Sequence, residues 1–484
     1  MTSKKRLITS SVLCSGVLAI ILLPAGVKGL KADGGNNGAN GGGFSASNAS
    51  GVARTVAGNG PIDQSGPFFQ SLGTNGRSCA TCHQLSDAMS VSAEHIQARF
   101  DASQGLDPIF RTVDGSNCDH NIDTTTLAGR RAAYSLLRTR GVIRVSLDVP
   151  SVRDYDIVSV NNPYGCSDTN VIAAYRRPLP ATNLRFLTTV MWDGRESTGP
   201  GAILNGNYPQ SLISDLQQQA LDATNGHAQG NGLTAAQSQS IVAFEIGLTT
   251  AQAESQAAGT LAAEGATGGP EPLVNQKFFV GINDPVGLDP TNPVPLSFNT
   301  KVFNAFDAWE HAGNPHRQAI ARGQAIFNNR TFTITNVAGL NGATFSNGVT
   351  APAQIVSTCG ICHDSPNAGG HSVGAPLNIG VADVPGGRNV LNTSYLPVMT
   401  ICQTPGYTAC VQTTDPGRAL ISGKFADVGK FKGPLLRGLA ARAPYFHNGS
   451  ALTLMDVVNF YDSRFTIGLT AQEKSDLVAF LSSL

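Results

Sequence analysis

The chain has 484 residues, enough for two domains with separate hydrophobic cores. Its 33 basic and 33 acidic residues balance, which excludes a large net charge and gives no reason to expect nucleic acid or an acidic membrane as the main partner. Charged residues make up only 14% of the chain, and 54 Gly and 26 Pro predict a protein rich in loops.

The N-terminus has the pattern of an export signal. Three basic residues precede an uncharged, largely apolar stretch over residues 7–27, which is the order of a secretory signal peptide. Small residues around Ala32 offer a cleavage site, so we expect a signal peptide over residues 1–32 and a periplasmic location. An uncleaved membrane anchor is the alternative. Residues 33–60 are rich in Gly and Asn and predict a flexible linker.

Two segments, residues 79–83 and 359–363, read C-x-x-C-H. Two thiols one helical turn apart can add to the vinyl groups of a haem, and the adjacent imidazole then ligates the iron. A zinc site is the rival interpretation, but neither motif has a second C-x-x-C beside it. We therefore predict two covalent haem c groups, held by Cys79, Cys82, His83, Cys359, Cys362 and His363.

The remaining cysteines of the expected exported part form two local groups, Cys118 with Cys166 and Cys402 with Cys410. In an oxidising compartment two disulfides are the natural interpretation, and free structural thiols are the alternative. Cys14 lies inside the apolar N-terminal stretch and is not part of this count.

Helical patterns lie on both sides of a stretch rich in Ala, Gly and Pro over residues 251–295. Residues 235–248 place apolar side chains on one helix face, and Thr470 with Glu473 forms a capping box that opens a C-terminal helix. No convincing run of alternating strands is visible. The sequence therefore predicts an all-α, loop-rich fold.

The two motifs are separated by 280 residues, so each haem is expected in a domain of its own. We predict two cytochrome c-like haem domains in tandem, an N-terminal one over residues 61–275 and a C-terminal one over residues 276–484. The boundary falls in the Gly- and Pro-containing stretch between them.

Four segments around the motifs share one family's pattern. They read W-D-G-R at 192–195, I-V-A-F-E at 241–245, F-K-G-P-L-L-R at 431–437 and A-P-Y-F-H-N-G-S at 443–450. In this order they resemble segments of the bacterial di-haem cytochrome c peroxidases. That superfamily also contains the methylamine-utilisation enzyme MauG and related protein-modifying enzymes.

The resemblance implies a division of labour between the haems. The haem on His83 would react with hydrogen peroxide, and the haem on His363 would accept electrons from a small redox protein, a cytochrome c or a cupredoxin. Trp192 would relay electrons between them, whereas a large core residue is its other interpretation. A symmetric dimer is common among relatives.

The second axial ligand decides which iron is open to peroxide. In the family, the C-terminal haem's second ligand lies fourteen residues after the histidine of P-Y-F-H, which is Tyr461 in this chain. Peroxidases generally have Met there and MauG-type enzymes have Tyr. Met455 is an alternative ligand, and a third alternative is neither residue. At the N-terminal haem His95 is a candidate distal ligand, with a surface helix histidine as its alternative, and His120 is a weaker candidate.

This sequence departs from the family pattern at the residue that transfers a proton during O–O cleavage. The family places a glutamate after W-D-G-R, behind a Gln-Ala pair, and this sequence has none at that place. His227 is our candidate for the acid–base role, with Asp222 and Gln229 behind it. A loop histidine without a catalytic role is the alternative.

A second departure concerns the family's interdomain calcium, which uses an asparagine side chain and two backbone carbonyls. Here the corresponding segment reads Arg176-Arg177-Pro178, without the asparagine. Arg442 and Pro444 could still supply carbonyls. Calcium therefore stays an open alternative rather than a predicted cofactor.

Together these features predict a periplasmic di-haem oxidoreductase that reduces hydrogen peroxide at the His83 haem with electrons from the His363 haem. One alternative is a MauG-like enzyme that oxidises a partner protein or an organic substrate, which Tyr461 favours. Another is a non-enzymatic di-haem electron carrier. The sequence leaves the electron donor and the oligomeric state open.

Overall fold

The structure is a computed structural model, and it describes residues 42–58, 60–197, 208–285, 298–344 and 348–484. The predicted signal peptide over residues 1–32 lies outside these ranges. The described residues all belong to one compact unit, and the predicted division near residue 275 stays a prediction. Within these ranges no helix combines the length and apolar character needed to cross a bilayer.

Ten α-helices are present in the described part of the chain. They are α1 (Ala93–Ser103), α2 (Leu127–Ala133), α3 (Ser135–Arg140), α4 (Gln210–Gly226), α5 (Ala235–Gly247), α6 (Pro270–Val274), α7 (Pro315–Asn329), α8 (Ala419–Ser422), α9 (Leu454–Phe465) and α10 (Ala471–Ser482). The predicted capping box of the last helix is confirmed. The Thr470 hydroxyl accepts from the backbone N–H of Glu473, whose carboxylate accepts from the Thr470 N–H in return.

Eleven β-strands accompany the helices in the same ranges. They are β1 (Phe44–Asn48), β2 (Gly51–Ala57), β3 (Ile143–Asp148), β4 (Tyr155–Asn161), β5 (Val171–Arg176), β6 (Leu248–Ser255), β7 (Gly259–Thr260), β8 (Phe332–Thr335), β9 (Gln354–Ser357), β10 (Val398–Gln403) and β11 (Cys410–Thr413). They form four antiparallel sheets, ordered β1-β2-β6-β7, β11-β10-β4, β3-β5 and β8-β9. The prediction of an all-α fold is therefore wrong, and the fold is mixed α/β.

The missed strands are short, and those of the sheet β1-β2-β6-β7 are built mainly from small or polar residues. In β2 the buried positions are Gly51, Ala53 and Thr55, where a strand pattern normally shows branched or aromatic residues. Strands β1 and β2 lie inside the predicted linker over residues 33–60, so the linker prediction is wrong for these residues. The partner of β2 on its other side is β6, about 200 residues away, and no local pattern reveals this pairing.

The largest apolar core surrounds the last helix. Phe480 on α10 is fully buried and meets the rings of Phe303, Phe306 and Phe327 edge-on or tilted. Burying one such side chain contributes roughly 1.5–3 kcal/mol. This packing of α10 against α7 and α9 forms one wall around the second C-x-x-C-H motif.

Both predicted disulfides are confirmed. Cys118 pairs with Cys166, and Cys402 pairs with Cys410 between neighbouring positions of β10 and β11. Among the described cysteines, the four of the two motifs carry no disulfide.

Candidate active site

The first motif forms a short 3₁₀ turn over Cys79–Thr81 at the wall of a cavity. Cys79, Cys82 and His83 all line this cavity, which we call the first cavity. Nδ1 of His83 donates to the carbonyl oxygen of Met89 over 3.0 Å. Because a carbonyl only accepts, the proton lies on Nδ1 and the lone pair of Nε2 is kept for a metal ion.

The second motif repeats this arrangement around a 3₁₀ turn over Cys359–Ile361. Its two cysteines and His363 line the second cavity, and Nδ1 of His363 donates to the carbonyl of Gly369 over 2.8 Å. Burial lowers the pKa of both motif histidines, which keeps each imidazole in the neutral form that ligates iron.

The donor set does not suit zinc. Zinc needs three or four ligand atoms that converge on one point, and the thiols and imidazole of each motif do not form such a cluster. Among the described residues, the one cluster of three or more potential metal ligands is Cys118, Asp119, His120 and Cys166, away from both motifs. Its two sulfurs are bonded to each other.

Three buried cations and the partly buried Arg442 line the cavities in a way that fits haem. They are Arg177, Lys432, Arg437 and Arg442, and within the described ranges none of them forms an ion pair. Nη1 of Arg437 and Nε of Arg442 have no hydrogen-bond partner there. Burial lowers the pKa of Lys432 to about 7 and that of Arg442 to about 10. Cations that are removed from water without an ion-pair partner are stabilised by nearby anions, and each haem carries two propionate groups.

The two cavities share one wall. The residues that line both are Arg177, Pro178, Trp192, Lys432 and Pro434. Trp192 is 8% exposed, and its Nε1 donates to the carbonyl oxygen of Arg177 over 2.8 Å. Its ring meets that of His447 edge-on at 6.1 Å. The structure thus places Trp192 where a relay between two haems would have to lie, and the relay role itself stays a prediction.

The aspartate of the W-D-G-R segment forms buried ion pairs. Asp193 is fully buried and accepts from the guanidinium groups of Arg176 and Arg195. Arg176 also forms a bidentate ion pair with Asp415, with N–O distances of 2.7 and 2.8 Å. Burial by itself would raise the pKa of Asp193, but the two arginines hold it below its usual range. This network ties the Trp192 segment to the C-terminal part of the chain, a role that the sequence analysis did not assign.

His227 follows the end of α4 and lines the first cavity. Its Nδ1 lies 2.6 Å from Oδ2 of Asp114, and Oδ1 of Asp114 accepts from Arg77. Burial by itself would raise the pKa of Asp114, but His227 and Arg77 hold it below its usual range. The carboxylate therefore orients the imidazole and leaves Nε2 to exchange a proton. Asp114 and Arg77 were missed, because both are distant from His227 in sequence.

The other acid–base candidates lie elsewhere. Asp222 is exposed on α4 and accepts from Gln218, and Gln229 is also exposed. Neither residue lines the first cavity.

Glu245 on α5 does line the first cavity, although the sequence pointed to this residue only as part of a family segment. Glu245 is 5% exposed, and burial raises its pKa to about 8. Its Oε2 has no hydrogen-bond partner among the described residues.

The distal candidate His95 lies on α1 and is not part of the first cavity's lining. Its Nδ1 contacts the carboxylate of Asp87, and this hydrogen bond raises the pKa of His95. His120 is also outside both cavities, with Nδ1 at 2.7 Å from Oδ1 of Asp119. The structure thus brings neither histidine to the first cavity.

Tyr461 lies on the face of α9 that lines the second cavity, together with Leu454 and Val458. Its ring is stacked with that of Phe465 at an interplanar angle of 20°. Burial raises the pKa of Tyr461 above its usual range. Met455 is on the same helix but is not part of the cavity lining. The structure therefore places Tyr461, and not Met455, at the second cavity, and its role as an iron ligand stays a prediction.

The carbonyls that the calcium alternative requires are partly in use. The carbonyl of Arg442 accepts from Nη2 of Arg177 over 2.8 Å. The Arg177 guanidinium thus already places a positive charge at one of the two carbonyl oxygens that would bind calcium.

Each motif thus combines a free Nε2, two thiols and an adjoining cavity, which is the arrangement that a covalently bound haem requires. Comparison with known proteins agrees. The chain is 38% identical over 136 residues to the cytochrome-c peroxidase IdrP2 of Denitromonas iodatirespirans, covering 26% of this chain and 35% of that protein. It is 33% identical over 140 residues to the cytochrome-c peroxidase IdrP1 of Pseudomonas sp. (strain SCT), covering 26% of this chain and 36% of that protein.

The predicted resemblance is thereby confirmed. Over this segment the chain is similar to bacterial cytochrome-c peroxidases, which are oxidoreductases. The matched segment spans about a third of each relative's length. Among solved structures, a MauG-like protein associated with microbial copper homeostasis is similar at a TM-score of 0.37 and 16% identity, over 86% of this chain and 85% of that one. No protein-family model matches the chain.

Proposed function

We propose that the protein reduces hydrogen peroxide in the first cavity, with electrons that arrive through the second. The observation that carries this proposal is the shared wall, in which one tryptophan lies between two C-x-x-C-H cavities. Each motif would bind one haem through two thioethers and one histidine. A haem bound in the first cavity supplies the iron that takes up peroxide and the electrons that cleave its O–O bond.

The residues of the first cavity provide the proton transfers. Nε2 of His227 takes the proton from one peroxide oxygen and returns it to the other, the leaving oxygen. Asp114 stabilises the protonated imidazole, and Arg77 keeps Asp114 ionised. The overall reaction consumes two electrons and two further protons and yields two water molecules.

Electron flow in this proposal runs from the His363 side through Trp192 to the His83 side. The donor would be a small redox protein, a cytochrome c or a cupredoxin, and the location would be the periplasm. A homodimer is compatible with the proposal but not required by it. Calcium is left out, because Arg177 already donates to the Arg442 carbonyl.

A second function is favoured by one specific observation. Tyr461, rather than a methionine, lines the second cavity. An anionic phenolate stabilises the higher charge on iron, so a Tyr461-ligated haem is harder to reduce and stores oxidising equivalents better than it accepts electrons from a donor. The protein would then oxidise a partner protein or an organic substrate instead of a reduced cytochrome.

Steady-state turnover of the purified holoprotein tests the choice. We expect oxidation of reduced cytochrome c by peroxide at two cytochromes per peroxide. Slow cytochrome oxidation together with peroxide consumption would favour the second function. An electron carrier without enzymatic activity would show two six-coordinate haems in its electron paramagnetic resonance spectrum and no reaction with peroxide in any redox state.

A further inference from the structure

Arg177 is a buried cation that is satisfied by neutral groups alone. Its Nη1 donates to the carbonyls of Arg140 and Gly141 at 2.9 and 3.4 Å, and its Nη2 donates to those of Val91 and Arg442 at 2.5 and 2.8 Å. The residue is 5% exposed. Carbonyl dipoles stabilise the guanidinium but leave its net charge in place.

The charged surroundings of Arg177 do not cancel this charge. Asp87 is the nearby carboxylate, and it is already bonded to His95 and Ser92. Arg442 adds a second positive charge beside Arg177. Burial, followed by Arg442, lowers the pKa of Arg177 to about 9, so the guanidinium is protonated at neutral pH.

The same residue belongs to both cavities. Arg177 is part of the wall that the first and second cavities share. Its backbone carbonyl accepts from Nε1 of Trp192 over 2.8 Å, and its backbone N–H donates to the carbonyl of His447 over 2.6 Å. Arg177 therefore combines a buried positive charge, a hydrogen bond from Trp192 and a position in the lining of both cavities.

We propose that Arg177 is a positioning residue that both haem sites share. Its positive charge raises the reduction potential of each haem, and its backbone carbonyl fixes the indole of Trp192 between them. The physical reason is that ferric haem carries one more positive charge than ferrous haem, so a nearby buried cation disfavours the ferric state. The Trp192 part rests on the proposed function, whereas the potentials depend only on haem being bound.

Spectroelectrochemical titration of the holoprotein tests this inference. In Arg177→Gln, which keeps an amide donor but loses the charge, we expect the midpoint potentials of both haems to shift downward together. In Arg177→Lys, which keeps the charge, both potentials should return toward the wild-type values at neutral pH. Arg153→Gln is the matched control, because Arg153 lies outside both cavities and is partly exposed.

Unchanged potentials in folded Arg177→Gln, or a shift of one haem alone, would overturn the proposal. Should Arg177→Gln not accumulate as holoprotein, Arg177→Lys carries the test by itself. A buried ammonium loses its proton at lower pH than a guanidinium, so both potentials of this variant should fall below wild type as the pH rises. Potentials that follow wild type at every pH would contradict it.

The outcome is separable from the proposed function. A protein without peroxidase activity would still show the paired shift of the potentials. Conversely, absence of electron transfer between the haems in the wild-type protein would remove the relay while leaving the shared electrostatic role intact.

Discussion

At the scale of single residues, the first cavity brings together side chains from distant parts of the chain. Asp114 is 113 residues from His227, and the fold places their side chains within 2.6 Å of each other. Glu245 is buried in the same cavity. These contacts could not be predicted from the sequence, whereas the two C-x-x-C-H motifs are visible in it directly.

The acid–base role of His227 predicts a kinetic loss. In His227→Ala we expect peroxide cleavage to slow by about 10²- to 10⁴-fold, the usual contribution of a positioned general acid–base group. Rapid mixing of the reduced holoprotein with peroxide measures this rate. Asp222→Asn is the control, since Asp222 lies on the preceding helix α4 but outside the cavity, and its rate should match wild type. Equal rates for both variants would move the role to another residue.

The buried carboxyl of Glu245 predicts a pH-dependent stability. Its folded pKa of about 8 lies above the ordinary value of 4.5, so the folded protein binds one proton more than the unfolded chain between these two values. The free energy of unfolding is therefore not reduced by this group below pH 4.5. It decreases by about 1.4 kcal/mol per pH unit between pH 4.5 and pH 8.

The variant Glu245→Gln removes this titration. Its free energy of unfolding, measured by denaturant at pH 5, 6, 7 and 8, should rise relative to wild type with each step. A difference between the two proteins that stays constant over this range would show that the carboxyl is ionised in the folded state.

The position of Tyr461 predicts a spectroscopic change. Tyr461→Phe should alter the visible and electron paramagnetic resonance spectra of the second haem, and raise its potential, because an anionic ligand is lost. Met455→Leu, one turn and a half earlier on α9 and outside the cavity lining, should leave both spectra unchanged. Identical spectra for wild type and Tyr461→Phe would eliminate Tyr461 as a ligand.

At the scale of elements, local patterns predicted helices well and strands poorly. The capping box at Thr470 and the apolar face of residues 235–248 are signals contained within one element, and α10 and α5 follow them. Strand β1 forms a hairpin with β2, and β2 pairs with β6 from the opposite end of the first half of the chain. Their small and polar residues become buried only when these partners meet, so the sequence showed a linker instead.

The N-cap of α10 predicts a measurable effect on stability. Thr470→Ala removes the hydroxyl that accepts from the Glu473 N–H, and should lower the free energy of unfolding by about 0.5–2 kcal/mol. Thr470→Ser keeps the acceptor and should lose much less. Denaturant unfolding of the holoprotein measures both, and equal losses would show that the hydroxyl does not contribute.

At the scale of the whole molecule, the central feature is the wall between the two cavities. Residues from both halves of the chain build it, and buried ion pairs such as that of Arg176 with Asp415 hold the halves in register. The sequence predicted two haems and a tryptophan between them. The cations around that tryptophan emerged only from the fold, because their partners are backbone carbonyls rather than acidic side chains.

The most direct test mixes the fully reduced holoprotein rapidly with one equivalent of hydrogen peroxide and follows both haems by absorbance. One peroxide takes up two electrons, so both haems should become oxidised together. In Trp192→Phe the second haem should be oxidised more slowly than the first. If peroxide oxidises neither haem, or leaves the second haem reduced in the wild-type protein, peroxide reduction with electrons relayed between two haems is contradicted.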